Sequence, residues 1–538
     1  MQQWWKYAIG YQIYPMSFCD KNNDGIGDIK GIISKLDYLE DLGVNLIWIC
    51  PMYDSPMDDN GYDIRDYEAI YAPFGTMEDM QELIDKANAK GIKIMMDLVV
   101  NHTSDEHIWF QKALKDKHSP YRDYYWFKEG DGKGNPPCNW RSVFGGPVWE
   151  KVPGEDNMYY FHSFSKRQPD LNWNCPSMRR ELGEMIARWM KRGIAGFRVD
   201  AINFINKDAF VSHEVDGPDL LISCFSYTLT VPGIEKYYVY LKEIFDANKC
   251  VTICEATGMP YEELDVYVGE HGTFSMVFDF NYTNIDVENE DYFRRTNWRV
   301  ESYRDLLYDS QLQLQKVGWS APFLENHDQP RCINKLIRNE KYHAVGAKTL
   351  ALMLLSLKGT PFIYQGQEIG MVNFKRTGIE QFDDLNAKSQ YEQSLANGFS
   401  EEESIYFLNM RSRDNSRTPM CWDKSQYGGF SNHEPWILMN EKYPSINVED
   451  QIKDETSVLN FYKKVIHLRK SDPAFVESDF EAYPLHKDII SYKRGKYTIY
   501  INLSDKDIKL DIEGNIVLNS YSDYDGTLKP YQGLITEQ

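Results

Sequence analysis

Short apolar runs, many of them β-branched, recur along the chain, and most are followed by a stretch whose leucines and isoleucines repeat at helical spacing. The runs predict strands near 8–14, 44–50, 92–100, 196–201, 251–256, 275–280, 321–325 and 361–365. Between them, GIISKLDYLEDLG (31–43) and MEDMQELIDKANAKG (77–91) are amphipathic, and each ends in glycine, a common helix C-cap. Strands bounded this regularly by helices predict an α/β chain folded as a closed, parallel (β/α)8 TIM barrel.

The alternation breaks in two places. After the third run, 101–172 is rich in Gly, Pro, Trp and Tyr and loses the strand–helix rhythm. A structureless excursion of that length is uncommon, so it predicts an inserted subdomain. After the eighth run, 371–455 is polar and punctuated by Gly and Pro, which predicts a long loop folded over the barrel mouth. The barrel itself is then 1–100 and 173–470. From 471 to 538 the pattern becomes short alternating runs such as KDIISYKRGKYTIYINLSD, which predict an all-β terminal domain of sandwich type.

A formal net charge of −22 excludes a general nucleic-acid binder, whose partner demands a basic surface. No run of about 18 apolar residues exists, so no membrane span is expected. The start, MQQWWKYAIGYQIYP, lacks the basic-then-apolar pattern of a secretory leader. Nine cysteines are scattered with no zinc or disulfide spacing, which suits reduced thiols in a cytoplasmic protein. A monomer is expected.

The chemistry concentrates where apolar runs end. DLVVNHTS (97–104), GFRVDAINF (196–204), TICEATG (252–258) and FLENHDQPR (323–331) carry Asp200, Glu255 and Asp328, with His102, Arg198 and His327 beside them. Polar residues at the carboxyl ends of barrel strands are how this architecture builds an active site. Two carboxyl groups in different protonation states are what glycosidic cleavage needs, roughly 5–5.5 Å apart where configuration is retained. Arg198, two residues before Asp200 and on the same strand face, is expected to keep that carboxylate ionised. Glu255 follows apolar neighbours, which favour the raised pKa of a general acid.

Together these four segments resemble glycoside hydrolase family 13, the α-amylase superfamily. The resemblance implies Asp200 as nucleophile, Glu255 as acid/base and Asp328 as transition-state stabiliser. DDNGYDIRDY (58–67) resembles the segment that binds a nonreducing-end glucose, through Asp59 and Tyr62. SRDNSRTPM (412–420) resembles the segment that supplies an arginine to that glucose, Arg413, with Arg417 as the alternative. QPDLNW (168–173) is similar to the signature of oligo-1,6-glucosidases, and adds Gln168 to the substrate set. His102, Arg198 and His327 join it, and Phe144 and Phe164 of the insertion are expected at the pocket entrance. The implied activity is exo-acting hydrolysis of short α-glucosides, with no organic cofactor. A sucrose isomerase or transglucosylase and a phosphotrehalase share the catalytic set. A non-catalytic, transporter-associated homologue is the distant alternative, because it needs a membrane anchor.

Ala201, after the nucleophile, leans toward α-1,4 linkages, whereas QPDLNW leans toward α-1,6. The linkage stays open. DKNNDGIGDIKG (20–31) places Asp20, Asn22 and Asp24 at alternate positions, with the Ile26 carbonyl and Asp28 following. Hard oxygen donors in this order suit Ca2+, or Mg2+ in its place. The resemblance implies a structural ion in this loop.

Overall fold

The computed structural model describes residues 3–215, 220–288 and 291–538. Seven of the eight expected runs form one parallel sheet. In spatial order it runs Met276–Phe278, Val251–Glu255, Gly196–Asp200, Lys93–Val99, Leu46–Ile49, Gly10–Ile13 and Phe362–Tyr364. Its strands are buried almost throughout, as expected of parallel strands covered on both faces.

The run at 321–325 forms no ladder. Pro322 lacks an N–H to donate, so only scattered bonds are made. The Ala321 N–H donates to the Val277 carbonyl (2.9 Å), and the Pro322 carbonyl accepts from Phe362 N–H (2.9 Å). Thr360 N–H reaches the Ser320 carbonyl on the same side (2.9 Å). Bonded to both neighbours, this segment fills the eighth position and closes the (β/α)8 barrel.

The inserted region 101–172 contains helix Ile108–Lys115 and a three-stranded antiparallel sheet with Met158–Phe161 between Phe127–Glu129 and Trp149–Lys151. Its core of Trp140, Val148, Trp149, Tyr159 and Phe161 also takes in Cys224, with Phe210 packed against it. Both come from the segment after the fourth barrel strand, so the subdomain is completed by residues distant in sequence. The region 371–455, expected as loop, carries the helices Leu385–Ala396 and Glu401–Arg411, tied together by Ser394 and Ser404 (2.7 Å). Asp384 and Ser400 cap them, signals available in the sequence but masked by its polar character.

Helix Val458–Ser471 returns to the barrel. The C-terminal part is a five-stranded antiparallel sheet in the order Phe480–Ala482, Ile489–Arg494, Tyr497–Asn502, Gly533–Glu537, Asn515–Asn519. One face joins the barrel core through the almost wholly buried helix His343–Ser356, where Thr349 Oγ1 donates to the Tyr531 carbonyl (2.6 Å). The other face packs a two-stranded ribbon around Ile489, Tyr500, Ile508, Leu528 and Leu534. All nine cysteines are free thiols, eight of them buried. Among the described residues no helix is long and apolar enough to cross a membrane.

Gly196 opens the fourth strand, and a Cβ there would lie 1.8 Å from the Val251 carbonyl oxygen. Gly196→Ala is expected to spread the fourth and fifth strands, which carry Asp200 and Glu255. The cost should be about 1–3 kcal/mol, seen as a lower thermal midpoint together with lost activity.

Candidate active site

The fourth strand pairs Arg198 with Asp97 on one side and with Ile253 on the other. This register sets a single buried guanidinium among three carboxylates. Arg198 Nη1 donates to Asp97 Oδ1 (2.8 Å) and Asp200 Oδ1 (2.6 Å), and Nη2 to Glu255 Oε2 (2.5 Å). Asp200 and Glu255 therefore sit on adjacent nitrogens of one planar group and flank one cavity. Glu255 Oε2 also accepts from the Ala201 N–H (3.2 Å), so a proton carried by Glu255 belongs on Oε1. Ala201 adopts left-handed backbone (φ 42°), unusual away from glycine, and this turn aims its N–H at Glu255.

A second cluster forms the opposite wall. Arg413 donates from Nη1 to Asp328 Oδ1 (3.0 Å), from Nη2 to Asp59 Oδ1 (3.3 Å), and to Asp384 Oδ1 from Nη2 (2.5 Å) and Nε (2.9 Å). Arg417 reaches Asp328 Oδ1 from Nη2 (2.9 Å) and the His327 carbonyl from Nε (3.1 Å). The two arginines thus divide the work: Arg413 links Asp59 to Asp328, and Arg417 anchors Asp328 alone.

Asp59, Tyr62, His102, Phe144, Phe164, Asp200, Glu255, Asp328 and Arg413 all line one cavity of about 170 Å³. That is below the roughly 300–1,000 Å³ of sites for larger ligands, and it suits one small unit. Phe144 lies under the Arg413 guanidinium (5.1 Å) and packs on Phe164 (5.7 Å). Gln168, Arg198 and His327, also expected in the substrate set, are buried and do not line this cavity. Gln168 Nε2 donates to Asp59 Oδ2 (3.0 Å), and His327 stacks on Tyr62 (5.2 Å between centroids) while Gln12 holds its Nδ1 (2.8 Å). Their strands and loops turn these side chains inward, so they set the positions of the groups that face the cavity.

Asp97, Asp384, Arg417's contact with Asp328, Asn203, Tyr292 and Arg411 complete the surroundings. Asp97 lies inside the third strand, and only the register pairs it with Arg198. Asp384 carried a helix-cap signal and no sign of its arginine.

Burial works against ionisation throughout. It pushes Asp200 well above the usual carboxylate range; Arg198 opposes it, while Glu255, Asp97 and Asp328 add to it. Asp97 rises to about 6 for the same reason, again against Arg198. Arg198 is expected to keep Asp200 ionised; its pull acts in that direction, but the one cation is shared among three buried carboxylates and burial is the larger influence on Asp200. Asp328 behaves oppositely. Burial pushes it up, but His327 where its ring is protonated, and Arg413 and Arg417 at any pH, outweigh that and hold it well below the usual range. Asp59 is raised to about 7 by burial, with Arg413 and Arg417 opposing. Burial lowers His102 to about 4 and His327 to about 3, so both are neutral hydrogen-bonding rings near pH 7.

In the 20–31 loop the carboxylates are engaged with backbone. Asp20 accepts from Asn23 and Gly25 N–H, and Asp28 from Lys21, Asn22 and Gly31 N–H. Among the described residues no three His, Cys, Asp or Glu side chains cluster closely enough to hold an ion. The all-oxygen donor chemistry still fits calcium.

A barrel with paired carboxylates at the ends of its fourth and fifth strands, opposite a third held ionised, is the frame of a glycoside hydrolase. The chain belongs to the family described as alpha amylase, catalytic domain, whose model matches residues 12–478. It is 43% identical to the oligo-1,6-glucosidase of Halalkalibacterium halodurans over 91% of this chain and 88% of that protein. Its fold is similar to the isomaltulose synthase from Klebsiella sp. LX3 (TM-score 0.94, 34% identity, 99% of both chains). It is also similar to the Bacillus licheniformis trehalose-6-phosphate hydrolase (TM-score 0.92, 35% identity, 99% of both chains).

Asp384 caps helix Leu385–Ala396 and grips Arg413 with the same carboxylate. Asp384→Asn should keep the cap and lose the charge, at about 1.5–3 kcal/mol. The expected result is a fall of about 10–100-fold in kcat/KM together with a lower melting temperature.

Proposed function

We propose that this glycoside hydrolase is a retaining, exo-acting α-glucosidase that removes terminal glucose from short oligosaccharides. The observation that carries the reading is the shared guanidinium: Asp200 and Glu255 on adjacent nitrogens of Arg198, facing one cavity. The Asp59–Arg413 pair limits that cavity on the far side and favours a terminal residue over an internal one. The substrates proposed are isomalto- and malto-oligosaccharides, with sucrose as a further candidate. The identity with oligo-1,6-glucosidases supports the first of these.

In the proposed mechanism Glu255 protonates the glycosidic oxygen from Oε1 while Asp200 attacks the anomeric carbon. Asp328, kept ionised by Arg413 and Arg417, favours the positive charge that develops there. As Glu255 gives up its proton, its new charge lies on Arg198 Nη2 and the Ala201 N–H. Glu255 then takes a proton from water, which attacks the glucosyl ester and releases Asp200.

Asp200→Asn and Glu255→Gln should each lose at least about a thousandfold in kcat while folding normally, and the wild type should release the α-anomer by NMR. Near-normal turnover in either variant, or a β-product, would overturn the mechanism. A panel of maltose, isomaltose, sucrose and trehalose 6-phosphate, scored by product, tests the substrate. Isomaltulose formed from sucrose, or strong preference for the phosphorylated sugar, would favour the chemistry named for the structural neighbours.

The 20–31 loop is proposed to hold a structural Ca2+, with Mg2+ as the second candidate, through Asp20, Asn22, Asp24, Asp28 and the Ile26 carbonyl. Such an ion would tie the first barrel loop together and take no part in the chemistry. Chelation should lower the melting temperature and added Ca2+ restore it; an unchanged melt rejects the site. Nine free thiols support a reducing, cytoplasmic setting.

A further inference from the structure

Lys207 lies seven residues beyond Asp200, and its ammonium is wholly enclosed. It is held by Asp170 Oδ2 (2.6 Å), Asn101 Oδ1 (3.0 Å), Ser163 Oγ (3.3 Å) and the Phe204 carbonyl. These partners belong to three different parts of the fold: the end of the third strand, the inserted subdomain and the turn after Asp200. Nothing in the mechanism above uses this cation.

Its consequence follows from donor and acceptor counting. An ammonium only donates, so Asn101 must present its oxygen to Lys207 and turn its NH2 the other way. That NH2 lies 3.2 Å from His102 Nδ1. A neutral imidazole has one N–H and one lone pair, and Nδ1 facing a donor must carry the lone pair. The proton then sits on Nε2.

The other edge of the ring cannot decide the matter. His102 Nε2 meets the Tyr62 carbonyl, an acceptor, at 3.2 Å and Gln168 Nε2, a donor, at 3.1 Å. Gln168 is itself fixed, since its Oε1 accepts from Ser165 N–H and its Nε2 donates to Asp59. One neighbour favours each tautomer, which leaves the choice to the far side of the ring.

We propose that Lys207 is a positioning residue that, through Asn101, fixes His102 as the Nε2–H tautomer on the edge of the ring nearest Asp59. A hydroxyl seated there accepts from the imidazole and passes its own hydrogen to the Asp59 carboxylate. The site is thereby set for a group that both accepts and donates. This consequence for binding rests on the cavity being a sugar site, whereas the tautomer is a property of the free enzyme.

The test is a long-range 1H–15N spectrum of histidine-labelled free enzyme at pH 8, with the His102 signal assigned by its loss in His102→Gln. Wild type should show Nε2–H, and Lys207→Arg, which keeps a pure donor, should show the same. Asn101→Asp puts an acceptor against Nδ1 and should move the proton there. Its kcat/KM should fall at least about tenfold, with a melt close to wild type. An Nδ1–H ring in wild type, an unchanged tautomer in a folded Asn101→Asp, or a folded Lys207→Met with wild-type spectrum and kinetics would each overturn the proposal. A substrate assignment that failed in the sugar panel would leave the tautomer result standing, so the two can fail separately.

Discussion

The guanidinium of Arg198 is the interaction on which the rest of this structure depends. It is enclosed by protein, rests against the Trp48 ring (4.9 Å) and binds three carboxylates that come from three adjacent barrel strands. Burying one cation and three acids is costly, and removing the cation would leave like charges unbalanced at close range. The arrangement persists because the barrel register fixes all four groups.

The opposite wall solves the reverse problem. Arg413 and Arg417 converge on Asp328 and keep it charged in spite of burial. The cavity is therefore polarised, with three carboxylates sharing one cation on one side and a carboxylate held by two arginines on the other. Development of positive charge at a bound sugar carbon is favoured between them. The arginines come from the long region after the last barrel strand, and Asp384 at the start of its first helix orients one of them. Lys207 does a comparable task on the side of the inserted subdomain. In both places the excursions from the barrel act on the chemistry through buried ion pairs.

Much of the fold was legible because its signals are local. Strand ends, helix periodicity and the loss of both at 101–172 depend on a few neighbouring residues, and they located seven of the eight barrel strands. The eighth failed as a ladder because Pro322 removes a donor, although the position it fills is the expected one. The helices in 371–455 were hidden because their caps sit in a polar stretch that reads equally well as loop. The all-β character of the C-terminal part was also local; its packing on helix His343–Ser356 was not.

For the site, the sequence by itself determined which residue types end the strands, and so named Asp200, Glu255 and Asp328, while the resemblance of segments 58–67 and 412–420 added Asp59 and Arg413. It could not say which of them face the cavity and which support it. Only the tertiary structure decided that Gln168, Arg198 and His327 are buried without lining the cavity and that burial raises Asp200. It also decided that Lys207 reaches His102 through Asn101. The reason is physical: a charge's protonation and a ring's tautomer depend on burial and on partners brought together across a hundred or more residues, and neither is encoded in local spacing.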